Sequence, residues 1–270
     1  MILYDCHVVL KMINESYTLA GAVTGFVVGL SGVGGGALMT PILLLFFGVA
    51  PTTAIATDLW FAVITKIVAA GIHNKRGQID WQVVRRLWLG SLPVALIVVL
   101  LVSYGAKVQK ISWLSQAIGL VVLITAVGLL ISPKLLALGR VRRLDHPIEF
   151  KAVQPLLTVV AGAILGLCVA LTSVGAGAIG SVMMLYLYPL RLTPHRLVAT
   201  DITHAIPLAF VPALGYLFAG MVDKQMLISL LAGSIPAVIV GCLVARLCSA
   251  RLLQIALSCV LLLAGLKMLL

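Results

Sequence analysis

"GAVTGFVVGLSGVGGGA", residues 21–37, and "GAILGLCVALTSVGAGA", residues 162–178, are one phrase written twice. Gly21, Ala22, Gly25, Leu30, Val33, Gly34, Gly36 and Ala37 each meet an identical residue in the second copy. Past two extra residues in that copy the correspondence resumes. Pro51 meets Pro194, "ATD" at Ala56–Asp58 meets "ATD" at Ala199–Asp201, "GQIDWQ" from Gly77 meets "GMVDKQ" from Gly220, and "GSLP" from Gly90 meets "GSIP" from Gly233. Blocks that recur in order over nearly the whole chain mark a duplicated unit.

The medium in which the two copies fold follows from composition. Of 270 residues, 62% are hydrophobic and 10% charged, and mean hydropathy is +1.19. Soluble domains carry roughly a quarter charged residues, and runs long enough to cross a bilayer, about 20 residues each, recur throughout. The chain reads as a polytopic membrane protein whose partner is the lipid bilayer. Its first residues, "MILYDCHVVLKMINES", lack the basic start and long apolar core of a signal peptide. The net charge of +11 is that of basic loops at a membrane surface rather than of a nucleic-acid binder. Five cysteines without a CxxC pair and five histidines without ligand spacing indicate neither a disulfide framework nor a metal site. No cofactor and no catalytic residues are expected, and the chain is not read as an enzyme.

Each copy divides into five apolar segments, near 17–32, 35–48, 51–73, 82–105 and 111–131, then 155–173, 176–188, 194–218, 224–246 and 251–270. The expected organisation is a first membrane repeat over 1–133, a basic cytoplasmic linker over 134–153 and a second, inverted repeat over 154–270. The inversion rests on charge. Loops near 74–86, 132–153, 189–196 and 246–251 hold most of the 19 Lys and Arg, including every Arg. By the positive-inside rule that side is cytoplasmic and both termini face out. Arg85 and Arg86 follow "GQIDW", whereas Ile228 and Ser229 take those places in the other copy. One corner is basic in one half and bare in the other, as opposite orientations require.

The glycines then acquire a use. Backbone leaves the helix at membrane depth only where protein or a wet cavity surrounds it. Inverted repeats with broken segments place a transport site where the copies meet. Two glycine hairpins meeting near mid-membrane would each begin a helix whose free N–H groups and positive dipole end attract an anion. The candidate substrate-binding set is Ser31, Val33, Gly34, Gly35, Gly36 and Thr40 in the first hairpin. Its counterpart is Thr172, Ser173, Val174, Gly175, Ala176, Gly177 and Ser181. The competing reading is that small residues let helices pack closely.

These stretches, with "GLSGVGGGALMTPILLLFFGVAPTTAIATD", "LTSVGAGAIGSVMMLYLYPLRLTPHRLVATD" and "HNKRGQIDW", resemble the sulfite exporter TauE/SafE family of bacterial membrane proteins over essentially the whole chain. The resemblance implies transport of sulfite and small organosulfur anions across the bacterial inner membrane. Sulfite export is the leading expectation, with uptake of an organosulfur or carboxylate anion, or a membrane assembly role without transport, as alternatives. A homodimer is open to such a chain, although no residue argues for it.

Asp58 and Asp201 are repeat-equivalent acids inside apolar segments, and each could be functional or could brace a broken helix. Lys66 lies two turns past Asp58, too far to pair with it directly, and either attracts anions or neutralises a carboxylate elsewhere. His204 stands where the first copy has Phe61, one turn past Asp201, facing substrate, Asp201 or an interior partner. The inversion is checked by labelling. Single cysteines placed at Asn74 and Arg142 react only from the cytoplasm, and those at Gln109 and Asp223 only from outside. Labelling of Gly77→Cys and Gly220→Cys from the same face would refute it.

Overall fold

The computed structural model describes residues 14–31, 36–73, 79–105, 113–145, 147–175, 177–244 and 250–269. They form ten helices: α1 (Glu15–Ser31), α2 (Gly36–Leu45), α3 (Pro51–His73), α4 (Trp81–Gly105), α5 (Trp113–Asp145), α6 (Pro147–Thr172), α7 (Ala178–Leu187), α8 (Pro194–Phe218), α9 (Lys224–Val244) and α10 (Ala250–Leu269). No strand occurs among the described residues. Six of the helices, α3 to α6, α8 and α9, contain stretches long and apolar enough to cross a membrane. At 1.5 Å per residue, ten-residue α2 and α7 reach only about half of a hydrocarbon core.

The helix starts are written in local chemistry. Asp80 Oδ1 accepts from the Val83 N–H at 3.3 Å ahead of α4, and Asp223 Oδ1 accepts from Met226 at 2.9 Å ahead of α9. These repeat-equivalent acids satisfy first-turn donors that the helix itself cannot. Thr193 caps α8 by accepting from the Arg196 N–H, and Pro194 suits the first turn because it has no N–H to lose. The basic run between the halves is helical: α5 continues through Lys134 to Asp145, and α6 starts at Pro147. Leu, Ala, Lys and Arg all favour helix, so loss of hydropathy there ends the apolar stretch without ending the helix.

Packing between the halves comes in matching pairs. α1 packs on α9 and α6 on α4; α3 meets α8 and α5 meets α10. Glycine makes the first two seams. A Cβ on Gly21 would stand 2.1 Å from the Leu230 carbonyl oxygen, and one on Gly162 would stand 2.4 Å from that of Leu87. Gly25 lies likewise on Ser234, and Gly166 on Ser91. From the other side, Cβ atoms on Gly233 and Gly90 would fall 1.9 Å from the Thr18 and Val159 carbonyl oxygens. The packing reading thus holds for the glycines along α1 and α6, which bring backbone against backbone where lipid supplies no hydrophobic drive between helices.

α3 and α8 run antiparallel. The Thr57 hydroxyl, near the start of α3, accepts from the Asp223 N–H beyond the end of α8 at 3.3 Å. Its equivalent Thr200, near the start of α8, accepts from the Asp80 N–H beyond α3 at 3.1 Å. Between them Trp60 Nε1 donates to the Ala213 carbonyl at 3.0 Å. α5 and α10 are antiparallel as well, since Gly265 lies on Leu123 while Gly119 lies on Met268 and Leu269.

Gly90→Val and Gly233→Val should each lower the melting temperature of the detergent-solubilised protein sharply. Their cost exceeds the ordinary 1–3 kcal/mol or so of overpacking, because the obstacle is backbone. Gly71→Ala, with no heavy atom near its added Cβ, should leave stability unchanged or raise it by roughly 0.5–1 kcal/mol.

Candidate functional site

α3 and α8 each enter with a proline and carry a buried aspartate in their first half, Asp58 and Asp201. Thr40 of α2 donates its hydroxyl to Asp58 Oδ2 at 2.5 Å. The other oxygen, Oδ1, has no hydrogen-bond partner. Beside that carboxyl stands Ser173, from the second hairpin, whose Oγ is also buried and unpartnered. Residues from both hairpins therefore flank one acid of the first half.

The second hairpin turns through two left-handed residues, Ser173 at φ 59° and Gly175 at φ 112°. Glycine takes such angles without a Cβ penalty. The Val174 N–H is held by Thr172 Oγ1 at 3.1 Å, and the Gly175 carbonyl accepts from the Gly180 N–H at 3.1 Å. At Gly177 there is no side chain to cap α7, which opens without a side-chain hydrogen bond. Its first-turn N–H groups are the positive end of a short dipole. Two of the candidate hydroxyls are occupied locally: Thr172 donates to the Cys168 carbonyl at 2.7 Å and Ser181 to that of Gly177 at 2.5 Å. In the first hairpin Val33, Gly34 and Gly35 lie outside the described residues, as does Ala176 in the second. Ser31 and Gly36 are described only as the last residue of α1 and the first of α2.

Neither oxygen of Asp201 has a hydrogen-bond partner. Oδ1 lies 3.0 Å from where a Cβ on Gly180 would stand, so the carboxylate rests against a bare stretch of α7. Lys66 Nζ is buried and unpartnered, and it interacts electrostatically with Asp201 first and with Asp58 second. The antiparallel run of α3 against α8 explains the order: a residue past the middle of α3 lies level with the first half of α8. Lys66 thus answers a carboxylate of the other half.

His204 does not reach Asp201. Its Nε2 pairs with Ser91 Oγ at 3.0 Å, and its carbonyl accepts from Trp88 Nε1 at 3.2 Å. A serine next to a histidine invites comparison with a nucleophile and its base, but Nδ1 has no partner, and hence no carboxylate orients the ring. Groups of three or more His, Cys, Asp or Glu able to hold a metal do not occur among the described residues.

Two members of this centre were not singled out from sequence. Gly180 had a signal, because the first copy has Met39 at its place and only a residue without a side chain admits Asp201 so closely. Ser91 had none, since Ser234 repeats it and nothing distinguishes the copy that meets histidine.

Spanning-capable helices, two half-length helices and an ionisable cluster buried among them are the features of a membrane transporter. The comparisons with known proteins agree. The family model described as Sulfite exporter TauE/SafE matches residues 17–268, and the chain belongs to that family. A Bacillus subtilis (strain 168) protein, described as probable membrane transporter protein YjnA, is 34% identical over 265 residues, covering 94% of this chain and 99% of its own. A Haemophilus influenzae probable membrane transporter protein is 29% identical over 168 residues, 59% of this chain and 58% of its own. No solved structure matches the chain.

Thr40→Val keeps the shape of the side chain but strands Asp58, and should destabilise the protein by about 1–3 kcal/mol, the cost of an unmet buried polar group. Ser181→Ala, which removes only a bond within its own helix, should change stability far less. Thermal unfolding of the two variants side by side checks the contrast.

Proposed function

We propose that the protein carries small sulfur oxyanions across the bacterial inner membrane, with sulfite leaving the cell, through a site between two inverted repeats. The observation that carries this reading is the Lys66 ammonium, buried where the halves meet without a hydrogen-bond partner, together with the Ser173 hydroxyl and an α7 that opens without a side-chain cap. An unmet cation at such depth is costly, and an anion is the ligand that would satisfy it. Gly175 and Gly177 add no side chain to that backbone.

The inverted arrangement is supported by the antiparallel pairing of repeat-equivalent helices, α3 with α8 and α5 with α10, and by the confinement of arginine to one side. In this scheme both termini face outward. Outward movement of an anion is favoured by an inside-negative potential, by about 2.3 kcal/mol per charge per 100 mV, and needs no coupling ion. Asp58, held by Thr40, braces the break. Asp201 balances the Lys66 charge while the site is empty and yields it to the substrate.

Flux of labelled sulfite into and out of proteoliposomes tests the proposal. Wild-type protein should move sulfite, and Lys66→Met and Ser173→Ala should each reduce flux about tenfold or more while remaining folded and inserted. Gly175→Val should abolish it, since valine cannot hold that backbone angle. Asp58→Asn should transport nearly normally, with an unchanged response to an imposed pH gradient. Proton-driven accumulation that is lost on this substitution would instead establish uptake. No flux of sulfite or any small anion by a folded protein would remove transport of this class from consideration.

A further inference from the structure

The starts of two apolar stretches, at Trp81 and Lys151, and the turn after α7 meet at one membrane face around a cavity of about 490 Å³. Its polar lining is Gln82 and Arg86 of α4, Lys151 and Gln154 of α6, and Tyr188 and Arg191 of the turn after α7. Three of these are cations and none is an acid. Asp80 sits behind the wall and accepts from Arg191 Nε at 2.5 Å and Nη2 at 2.8 Å, while Arg191 Nη1 donates to Gln82 Oε1 at 2.9 Å. Arg196 is the second cation near that carboxylate, at 4.0 Å. Arg191 is therefore fixed and largely neutralised. The charge that remains for a ligand is carried by Arg86 and Lys151.

Arg86 is positioned as well. Its Nη1 bonds the buried Tyr188 hydroxyl at 3.3 Å, and that hydroxyl pairs with Thr158 at 2.8 Å. One donor of a fork that has five thus anchors the guanidinium at the cavity wall. Gln154, by donating to the Leu187 carbonyl at 2.5 Å, ties α6 to the end of α7. At the corresponding places in the other half Ser229 stands for Arg86, and Gly48 for Arg191. The need for basic residues on one side of a membrane explains which half carries them. It does not explain why Arg86, Lys151 and a braced Arg191 converge on one cavity.

We infer that this cavity is a second anion site, distinct from the centre between the halves, that binds a phosphate- or sulfur-type oxyanion through Arg86 and Lys151. The oxyanion is either free in solution or carried on a lipid headgroup, since the cavity opens where the apolar stretches begin. α7, ten residues and about 15 Å long, runs from the central break to this cavity. The assignment does not depend on which substrate the central site carries.

The test uses the full chain in nanodiscs and two probes. With phosphatidylcholine alone, inorganic phosphate and sulfate are titrated calorimetrically. In the second arm, native mass spectrometry compares retention of phosphatidylglycerol with that of phosphatidylcholine. The wild type should bind the free anions, preferentially retain phosphatidylglycerol, or both, and free-anion binding should weaken with added sodium chloride because the site is half open. Arg86→Gln and Lys151→Gln should each weaken whichever binding is seen by roughly tenfold, the loss of one charge-assisted hydrogen bond. Lys66→Met should not. Lys151 lies exposed on α6, so its variant reports on the cavity even if Arg86→Gln misfolds. A response in the first arm alone assigns a free anion, and in the second alone a headgroup. Binding that is absent from both arms, or unchanged by both glutamine variants, overturns the inference. Loss of sulfite flux with this binding intact would count against the central site only.

Discussion

A buried charge in hydrocarbon must be enclosed by protein, and every other feature of this bundle serves that constraint. Asp58, Lys66 and Asp201 sit on the two helices that cross each other between the halves, and all three are almost wholly shielded from the surface. An ionisable group in a membrane is tolerated where it faces such an interior. The enclosure is made by α1 on α9 and α4 on α6, which approach so closely that glycine alone fits at Gly21, Gly90, Gly162 and Gly233. The glycines thus have two uses in one molecule. Along the seams they remove bulk; at Gly175 they supply a backbone angle.

The duplication gives the enclosure economically but does not make the two halves alike. Thr57 and Thr200 make the same bond across the middle, and Asp80 and Asp223 cap equivalent helices. The aspartates depart from this symmetry. Asp58 is held by Thr40, whereas Ser181, the matching hydroxyl, turns back onto its own helix and leaves Asp201 against Gly180 and near Lys66.

Most of the fold was legible because its signals are local. Pro51 and Pro194 open their helices as expected, and the repeat carries the segment list of the first half onto the second. The run from Lys134 to Lys151 was harder, since hydropathy reports the medium and not the backbone, and there the helix outlasts the membrane stretch. At the site, the sequence named Asp58, Asp201, Lys66, Thr40 and Ser173 but not their pairing. That pairing depends on α3 running against α8, a relation between distant segments that periodicity does not contain. For His204 the sequence left an interior partner open beside Asp201 and substrate; that partner, Ser91, comes from the other half. The basic cavity around Arg86 was hidden for a similar reason, because two helix starts and a turn had to meet before charges that looked topological formed a wall.

The proposed site puts an oxyanion in the space bounded by Lys66, Ser173 and the start of α7. Selenite replaces sulfur by a heavier atom in the same kind of pyramidal oxyanion, so its position can be read from anomalous scattering in crystals soaked at saturating concentration. An anion held there should give a selenium peak with its oxygens within hydrogen-bond distance of Lys66 Nζ and Ser173 Oγ, and no such peak in Lys66→Met. Selenium bound elsewhere while this space stays empty, or a peak that persists unchanged in the methionine variant, would contradict it.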